Sequence, residues 1–316
     1  MALAEAEETV TVGPRHSRTA LQSRQTRLAW LLLTPTIAVV LFIAGYPLVR
    51  TFYDSFTDAA FGYPTHFIGW TNFYNLIHDT TFRESVYTTF KFTIITVAFE
   101  FVLGMGIALV VNSNFKGRGA MRAAMLVPWA IITVVNAQMW KLMFNDTYGV
   151  FNDILQRIHW PGAPFSFLTE PNLSLTSICA IDIWKTTPFV ALLLLAGLQV
   201  ISGDLYEAAS VDGANAWQQF WRITLPLLRP AILVTLIFRT MDALRVFDVF
   251  YVLFSNAPCV PGNCKISMAV YDQENIVNFA SSQGALGYGA AISVGIFIIL
   301  AAVIAIYVKV LPMETS

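Results

Sequence analysis

The sequence predicts an all-α membrane protein with six transmembrane helices. Of its 316 residues, 56% are hydrophobic and only 12% are charged, which is about half the charged fraction of a soluble domain. Six apolar runs are long enough to cross a bilayer, which takes about 20 residues. Polar loops separate these runs, and inside lipid only helices and closed barrels satisfy the backbone.

The six runs define the expected domain organisation. They are residues 28–49, 92–111, 123–140, 173–200, 231–253 and 290–308. Residues 1–27 are polar and predict a disordered cytoplasmic tail. We assign residues 28–91 to the first transmembrane helix and an outer loop, and residues 92–316 to a core transmembrane domain. The first run is too long for a signal-peptide core, so we expect it to be retained.

Lysine and arginine indicate the orientation. With the N-terminus inside, the cytoplasmic segments hold ten of these residues and the longer outer loops hold six. The short second loop has Lys116, Arg118 and Arg122 and no acid, which is typical of a cytoplasmic loop. Six spans then place both termini in the cytoplasm. The net charge of −1 argues against nucleic acid as a partner.

A polar stretch between spans 4 and 5, residues 204–226, predicts two short helices on the cytoplasmic side. Asp204 is a suitable N-cap, and Glu207 follows at the spacing of a capping box. Gly213 should end the first helix, because only glycine adopts a left-handed turn at little cost. Asn215 with Gln218 repeats the cap signal for the second helix.

Three aromatic residues share one face of that second helix. Trp217, Phe220 and Trp221 follow the i, i+3, i+4 spacing. We expect this face to lie against the cytoplasmic ends of the spans. Considered alone, the stretch is compatible with a plain amphipathic hairpin between two membrane helices.

The same stretch resembles the EAA loop of ABC importer permeases. The resemblance consists of Glu-Ala-Ala, a glycine after three further residues, and Ile-x-Leu-Pro after nine more. It implies that this loop docks on an ATPase subunit. The ATPase-coupling residues that it implies are Glu207, Ala208, Ala209, Asp212, Gly213, Ile223, Leu225 and Pro226.

Weaker stretches from residue 45 to the end of span 5 resemble the sugar-importer branch, and those around spans 4 and 5 are most similar to trehalose or maltose permeases. The resemblance implies a type I importer bundle in a bacterial inner membrane. It also implies three kinds of partner: a homologous second permease, two ATP-binding cassette subunits and an extracytoplasmic sugar-binding protein. ATP and Mg would bind to the partners and not to this chain. The sequence has no Gly-x4-Gly-Lys-Ser/Thr motif, so we expect no catalysis by this chain.

Ionisable residues inside the spans are costly and often mark a path or site. The charged residues near the midplane are all i, i+3 pairs apart from Glu100, so one interpretation is internal pairing of Asp182 with Lys185 and of Arg239 with Asp242. The pair Arg245 and Asp248 lies nearer the outer face. The other interpretation is a path that binds sugar hydroxyls. The path candidates are Glu100, Asn136, Gln138, Asp182, Trp184, Lys185, Arg239 and Asp242.

We predict that Arg239 and Asp242 face the bundle interior, near at least one of Glu100, Asp182 and Lys185. Two other functions stay open: an ABC permease for a polyol or glycerol phosphate, and a stand-alone secondary transporter. A phosphate would favour an unpaired Arg or Lys facing the path.

The three cysteines predict one disulfide. Cys259 and Cys264 flank Val-Pro-Gly-Asn in an outer loop, where a tight turn brings the ends together and the redox conditions permit a bond. The alternative is two free thiols. Cys179 is expected to be a small core residue in span 4. The four histidines are scattered, so the sequence predicts no metal site.

Overall fold

A computed structural model describes residues 20–60, 62–254, 259–260, 263–278 and 285–310. Most of the expected tail, residues 1–19, lies outside these ranges. The first helix begins at Ala20, so residues 20–27 are helical where the sequence predicts tail. The chain divides into two compact units, Met1–Thr51 and Phe52–Ser316.

The regular secondary structure of the described residues is almost entirely helical. The helices are α1 (Ala20–Val40), α2 (Tyr46–Asp54), α3 (Thr71–His78), α4 (Thr80–Asn112), α5 (Arg118–Met125), α6 (Val127–Ala130), α7 (Thr133–Met143), α8 (Val150–Arg157), α9 (Pro171–Leu198), α10 (Gly203–Val211), α11 (Ala216–Gln219), α12 (Leu225–Leu227), α13 (Arg229–Leu244), α14 (Asp248–Phe254), α15 (Met268–Asn278) and α16 (Ala285–Val310). Two π-helical turns, Leu41–Gly45 and Phe220–Thr224, join α1 to α2 and α11 to α12. Strands β1 (Cys259–Val260) and β2 (Asn263–Cys264) form a small antiparallel hairpin.

The helices account for six spans once two bent pairs are included. Within the described ranges, four helices are long and apolar enough to cross a membrane alone, and two further pairs qualify together. The pair 118–130 and 133–143 bends by 85°, and the pair 216–227 and 229–254 bends by 68°. The third span, expected as one helix over residues 123–140, is therefore broken. Ile131 and Ile132 adopt extended backbone there, which ends α6 before α7 begins.

The second span is longer than the sequence predicts. Helix α4 has 33 residues and runs without interruption through residue 92, where the sequence analysis places a domain boundary. At about 1.5 Å per residue such a helix is about 50 Å long, well beyond the apolar thickness of a bilayer. Its first turns therefore extend past the membrane core.

The core of the second unit is built on α4 and α9, with α13 against both. Gly104 permits the close approach, because a Cβ there would lie 2.7 Å from Val190 Cγ1. One apolar cluster includes Phe92, Ile178 and Phe250 in the half of the bundle where α4 begins. A second cluster lies at the opposite end and includes Val111, Leu194, Leu198 and Leu228.

Asp79 ties three helices together where α4 begins. Its Oδ1 accepts hydrogen bonds from the Thr81 and Phe82 N–H groups and caps α4, as expected of an aspartate at this position. Its Oδ2 accepts hydrogen bonds from the hydroxyls of Tyr271 (2.5 Å) and Tyr288 (2.8 Å), on α15 and α16. Burial raises the pKa of the Asp79 carboxyl, but these donors lower it, and the resulting pKa lies below its ordinary 3.8.

The backbone of the cysteine hairpin brings its two ends together, as the sequence predicts. Cys259 and Cys264 face each other across the two strands. Cys264 is disulfide-bonded, while Cys179 is a free, buried thiol as expected. The side chain of Cys259 lies outside the part of the chain that the structure describes, so its pairing with Cys264 stays a prediction.

Candidate functional site

A buried guanidinium joins three spans near the middle of the bundle. Arg239 on α13 donates from Nε to Glu100 Oε2 at 2.6 Å and from Nη2 to Glu100 Oε1 at 2.9 Å. The same Nη2 donates to Asp182 Oδ2 on α9 at 3.0 Å, and Nη1 donates to Asp242 Oδ2 at 2.5 Å. The Arg239 side chain is only 2% exposed and that of Glu100 is fully buried. Arg239 thus holds α4, α9 and α13 together through charge-assisted bonds.

Two of the pairs that the sequence suggests are not formed in the described part of the chain. Asp182 pairs with Arg239 and not with Lys185, and Arg245 and Asp248, both exposed, form no ion pair there. The i, i+3 rule fails for Asp182 because a buried arginine with five donors can reach carboxylates on two other helices. The predicted pair of Arg239 with Asp242 is present.

Thr186 completes the network. Its hydroxyl lies in hydrogen-bonding contact with Glu100 Oε1 and with the Asp182 carbonyl. The threonine is buried and lies one turn after Asp182 on α9. Thr186 is not among the path candidates predicted from the sequence, although its position one helical turn after an acid inside a span is a signal that could identify it.

A small polar cavity opens beside the network. Its volume is about 160 Å³, and the network supplies Asp182, Arg239 and Asp242 to its wall. The other charged lining residues are Lys185, Arg245 and Asp248. Acids and bases are therefore equal in number along the wall, a mixture that can both accept and donate hydrogen bonds.

The residues of the cavity wall differ in exposure. Lys185 is only 8% exposed, and it forms no ion pair among the described residues. The Asp242 side chain is 74% exposed, although its carboxylate holds Arg239. Arg239 and Asp182 lie in the bundle interior near Glu100, as expected, whereas Asp242 is at the open side of the network.

The remaining path candidates lie outside the cavity wall. Asn136 is fully buried on α7, and neither atom of its side-chain amide has a hydrogen-bond partner among the described residues. Gln138 is exposed. Trp184 is 39% exposed and packs edge-on against Trp140, with 5.5 Å between ring centroids. The sequence grouped these residues with the charged ones, but the structure brings only the charged ones together.

Residues 203–227, which we call the coupling element, form the helix–turn–helix that the sequence predicts. They lie at the end of the bundle that contains Val111, Leu198 and Leu228. Gly213 has φ +81°, in the left-handed region that favours glycine. The capping box of Asn215 and Gln218 is present, with both bonds at 2.9 Å. The first cap is displaced: Ser202, and not Asp204, precedes the first residue of α10 and accepts from the Asp204 N–H.

Side-chain hydrogen bonds hold the two arms of the coupling element together. The Gln219 amide donates to Ser210 Oγ at 2.9 Å and to the Ala214 carbonyl at 3.2 Å. The Tyr206 hydroxyl lies 3.0 Å from the hydroxyl of Thr224, which is buried. The sequence does not single out the four side chains that form these bonds, those of Tyr206, Ser210, Gln219 and Thr224, because their partners lie across the turn.

The ATPase-coupling residues that the resemblance implies differ in their exposure to solvent. Glu207, Ala208, Asp212 and Gly213 are exposed, and Ala209 is partly buried. The closing residues Ile223, Leu225 and Pro226 are partly buried. The first arm is therefore free to contact another molecule, while the second arm meets the bundle.

The aromatic face departs from the prediction. Only Phe220 packs on the second apolar cluster. Trp217 is 69% exposed and Trp221 is 50% exposed. The prediction that all three rings lie against the span ends is wrong for the two tryptophans, because the rings pack on one another and only Phe220, on the inner side of the group, reaches the bundle.

Comparison with known proteins gives a family match over residues 100–311, to the model described as binding-protein-dependent transport system inner membrane component. A trehalose/maltose transport system permease protein of Thermococcus litoralis is 40% identical over 291 residues, covering 92% of this chain and 95% of the relative. A sulfoquinovosyl glycerol transport system permease protein of Agrobacterium fabrum is 39% identical and covers 90% of each chain.

The fold is also that of a solved structure. A chain of a bacterial alginate ABC transporter, solved with a periplasmic protein bound to an alginate pentasaccharide, superposes with a TM-score of 0.77. The match covers 92% of this chain and 96% of the other at 23% identity. At that identity the similarity concerns the fold alone.

Proposed function

The chain belongs to the family of binding-protein-dependent transport system inner membrane components, and on that premise we propose that it forms half of the sugar path of an ATP-driven importer. The chain is an ABC transporter permease and a membrane protein. Its cargo is a sugar, and the disaccharides trehalose and maltose are the first candidates. The observation that carries this assignment is the nearly full-length similarity to a trehalose/maltose permease.

The assembly follows from the same premise. A second, homologous permease would complete the path, two ATP-binding cassette subunits would supply ATP hydrolysis with Mg, and an extracytoplasmic sugar-binding protein would deliver the cargo. Both termini would lie in the cytoplasm, so that the coupling element faces the ATPase subunits. Exposure of Glu207 and Ala208 on the first arm supports docking there.

The polar cavity supports a neutral cargo. Its charged wall residues are three acids and three bases, and Arg239 is held by three carboxylates. Sugar hydroxyls both donate and accept hydrogen bonds, so a wall with equal numbers of acids and bases suits them. Neutralisation of Arg239 disfavours a phosphate at that residue.

Lys185 favours a second candidate cargo. It lines the cavity, is almost completely buried and forms no ion pair among the described residues. An anionic group on the cargo would satisfy it. The sulfoquinovosyl glycerol permease of Agrobacterium fabrum has similar identity to this chain, so a sugar with an acidic substituent or a glycerol phosphate is the alternative.

Transport by the reconstituted complex tests the assignment. The chain, its partner permease, the ATPase subunits and the binding protein are placed in proteoliposomes with labelled trehalose or maltose. We expect accumulation that requires ATP, with competition by disaccharides and little competition by glycerol. Accumulation driven by an ion gradient without ATP would instead indicate a secondary transporter.

Substitution of Lys185 separates the two cargo classes. For a neutral sugar, Lys185→Met should reduce uptake only modestly and leave the order of competitors unchanged. For an anionic sugar, it should abolish competition by the anion and spare neutral competitors. Arg245→Met is the matched control, because Arg245 lines the same cavity but is exposed.

A further inference from the structure

Two tryptophans of the coupling element have no cover in the described structure. Trp217, Phe220 and Trp221 form a ring cluster with centroids 5.4–6.1 Å apart. Phe220 is its inward-facing member and packs on the second apolar cluster. Trp217 and Trp221 remain 69% and 50% exposed. Such adjacent aromatic exposure indicates an interaction surface.

The helical segment that carries the ring cluster lies at a large angle to the helices of the fifth span. Residues 216–227 meet residues 229–254 at 68°. Transmembrane helices tilt on average by about 20° from the bilayer normal. At about 1.5 Å per residue, residues 229–254 extend over about 39 Å and are long enough to cross the apolar core without residues 216–227. The segment 216–227 therefore runs closer to the membrane plane than to its normal, at the level where residues 229–254 enter the membrane. This is the placement of an interfacial helix.

Charge is segregated on the two sides of Gly213. Residues 203–213 contain Asp204, Glu207 and Asp212 and no basic residue. Residues 214–229 contain Arg222 and Arg229, both exposed, and no acidic residue. The first arm of the coupling element is therefore acidic, whereas the second arm and the two residues that follow it are basic, so the two sides are suited to different partners.

We propose that Trp217 and Trp221 lie in the headgroup region of the phospholipid leaflet on the coupling-element side, with Arg222 and Arg229 at anionic headgroups. Tryptophan prefers this region because its ring is amphipathic, and basic residues are attracted to anionic lipids there. The inference rests on the proposed function for the identity of the other arm's partner, the ATPase. The second arm is then held by the membrane while the first arm follows the ATPase.

Quenching by brominated lipid tests the position of the rings. The complete transporter complex is placed in nanodiscs whose phosphatidylcholine carries bromine near the headgroup or deep in the acyl chain. We expect shallow bromine to quench a component of the tryptophan emission that is lost in Trp217→Phe/Trp221→Phe. Trp160→Phe is the control, since Trp160 is equally exposed but lies in the segment between α8 and α9. Equal shallow quenching of the double variant and the wild type would overturn the proposal.

The same measurement separates lipid from a protein partner. Quenching should persist in the complete complex as in the permease pair without ATPase subunits. If adding the ATPase subunits abolishes the Trp217 and Trp221 component, those subunits cover the rings and the proposal is wrong. Transport is not needed for this readout, so a failure of sugar uptake would refute the proposed function and leave the quenching result valid.

The role of the arginines is tested with lipid charge. Shallow bromine placed on phosphatidylglycerol should quench the two rings more strongly than the same bromine on phosphatidylcholine in mixed nanodiscs. The ratio should fall to about one in Arg222→Gln/Arg229→Gln, because the attraction of each base to an anionic surface is lost. A ratio of one in the wild type would contradict headgroup binding by these arginines.

Discussion

The buried charge network and the coupling element are both polar, but they are stabilised in opposite ways. Arg239 is 2% exposed and depends on carboxylates 57 and 139 positions away in sequence. The coupling element is largely exposed, and the side-chain hydrogen bonds within its described residues join positions that are 3 to 18 residues apart. Loss of a partner should therefore destabilise the bundle in the first region and alter only a docking surface in the second.

Removal of Arg239 should have the largest effect on the bundle. Arg239→Gln leaves Glu100 and Asp182 buried without a cation, and breaking a buried pair costs about 3–5 kcal/mol. We expect a strong loss of membrane abundance and of thermal stability in detergent. Arg245→Gln is the matched control, because Arg245 is exposed and makes no ion pair among the described residues. Equal melting temperatures for the two variants would show that the network does not hold the spans together.

Loss of Asp79 should have an intermediate effect. Asp79→Ala removes the cap of α4, which is typically worth about 1 kcal/mol, and leaves Tyr271 and Tyr288 without their acceptor. Asp79→Asn, which can still cap, should lose less. The two melting temperatures at neutral pH measure the difference.

The Asp79 contribution should also depend on pH. Its folded-state pKa is lowered, so the stabilisation is complete above the ordinary pKa of 3.8 and is lost as pH falls through the lower folded value. The melting-temperature gap between wild type and Asp79→Asn should narrow on acidification below about 3.8. A gap that does not change with pH would mean that the charge of Asp79 contributes nothing.

Of these substitutions, removal of the Asp242 carboxylate should destabilise the protein least. Asp242→Ala leaves Arg239 with Glu100 and Asp182, so it does not create the unpaired buried charge that the sequence alone would suggest. Because its side chain is 74% exposed at the cavity, we expect near-normal abundance and reduced uptake. Asp182→Ala, at a buried position, should reduce abundance more. The reverse order would place the structural role on Asp242.

The sequence predicts the spans well where hydrophobicity alone decides them. Apolar runs identify the six membrane segments, because lipid permits few alternatives to a helix. The break at Ile131 and Ile132 could not be predicted, since both residues are apolar and no glycine or proline stands at the break. The polar first turns of α4 predict at most a separate interfacial helix over residues 82–91, so hydropathy does not show that they continue span 2 as one helix from Thr80.

In the candidate site, too, the features set by neighbouring residues are predicted and the contacts set by helix packing are not. The turn at Gly213 and the cap at Asn215 follow from local chemistry and are predicted correctly. The partners of Arg239 depend on how three helices pack, and sequence spacing favoured neighbours on its own helix. Lys185 shows the limit most clearly: spacing gave it Asp182 as a partner, but Asp182 bonds to Arg239.

Uptake and ATPase activity of Gly213→Val test the central claim, that the coupling element transmits ATPase motion while the buried network holds the bundle. A Cβ at residue 213 meets no atom within 4 Å, so valine would add backbone strain but no clash. That strain is of order 1–3 kcal/mol and is local. Gly203→Val is the control, since Gly203 has equal space and no left-handed backbone. We predict normal membrane levels for both complexes, with substrate-stimulated ATP hydrolysis and sugar uptake lost only in Gly213→Val. Full coupling in Gly213→Val would contradict the account and reduce residues 203–227 to a connector.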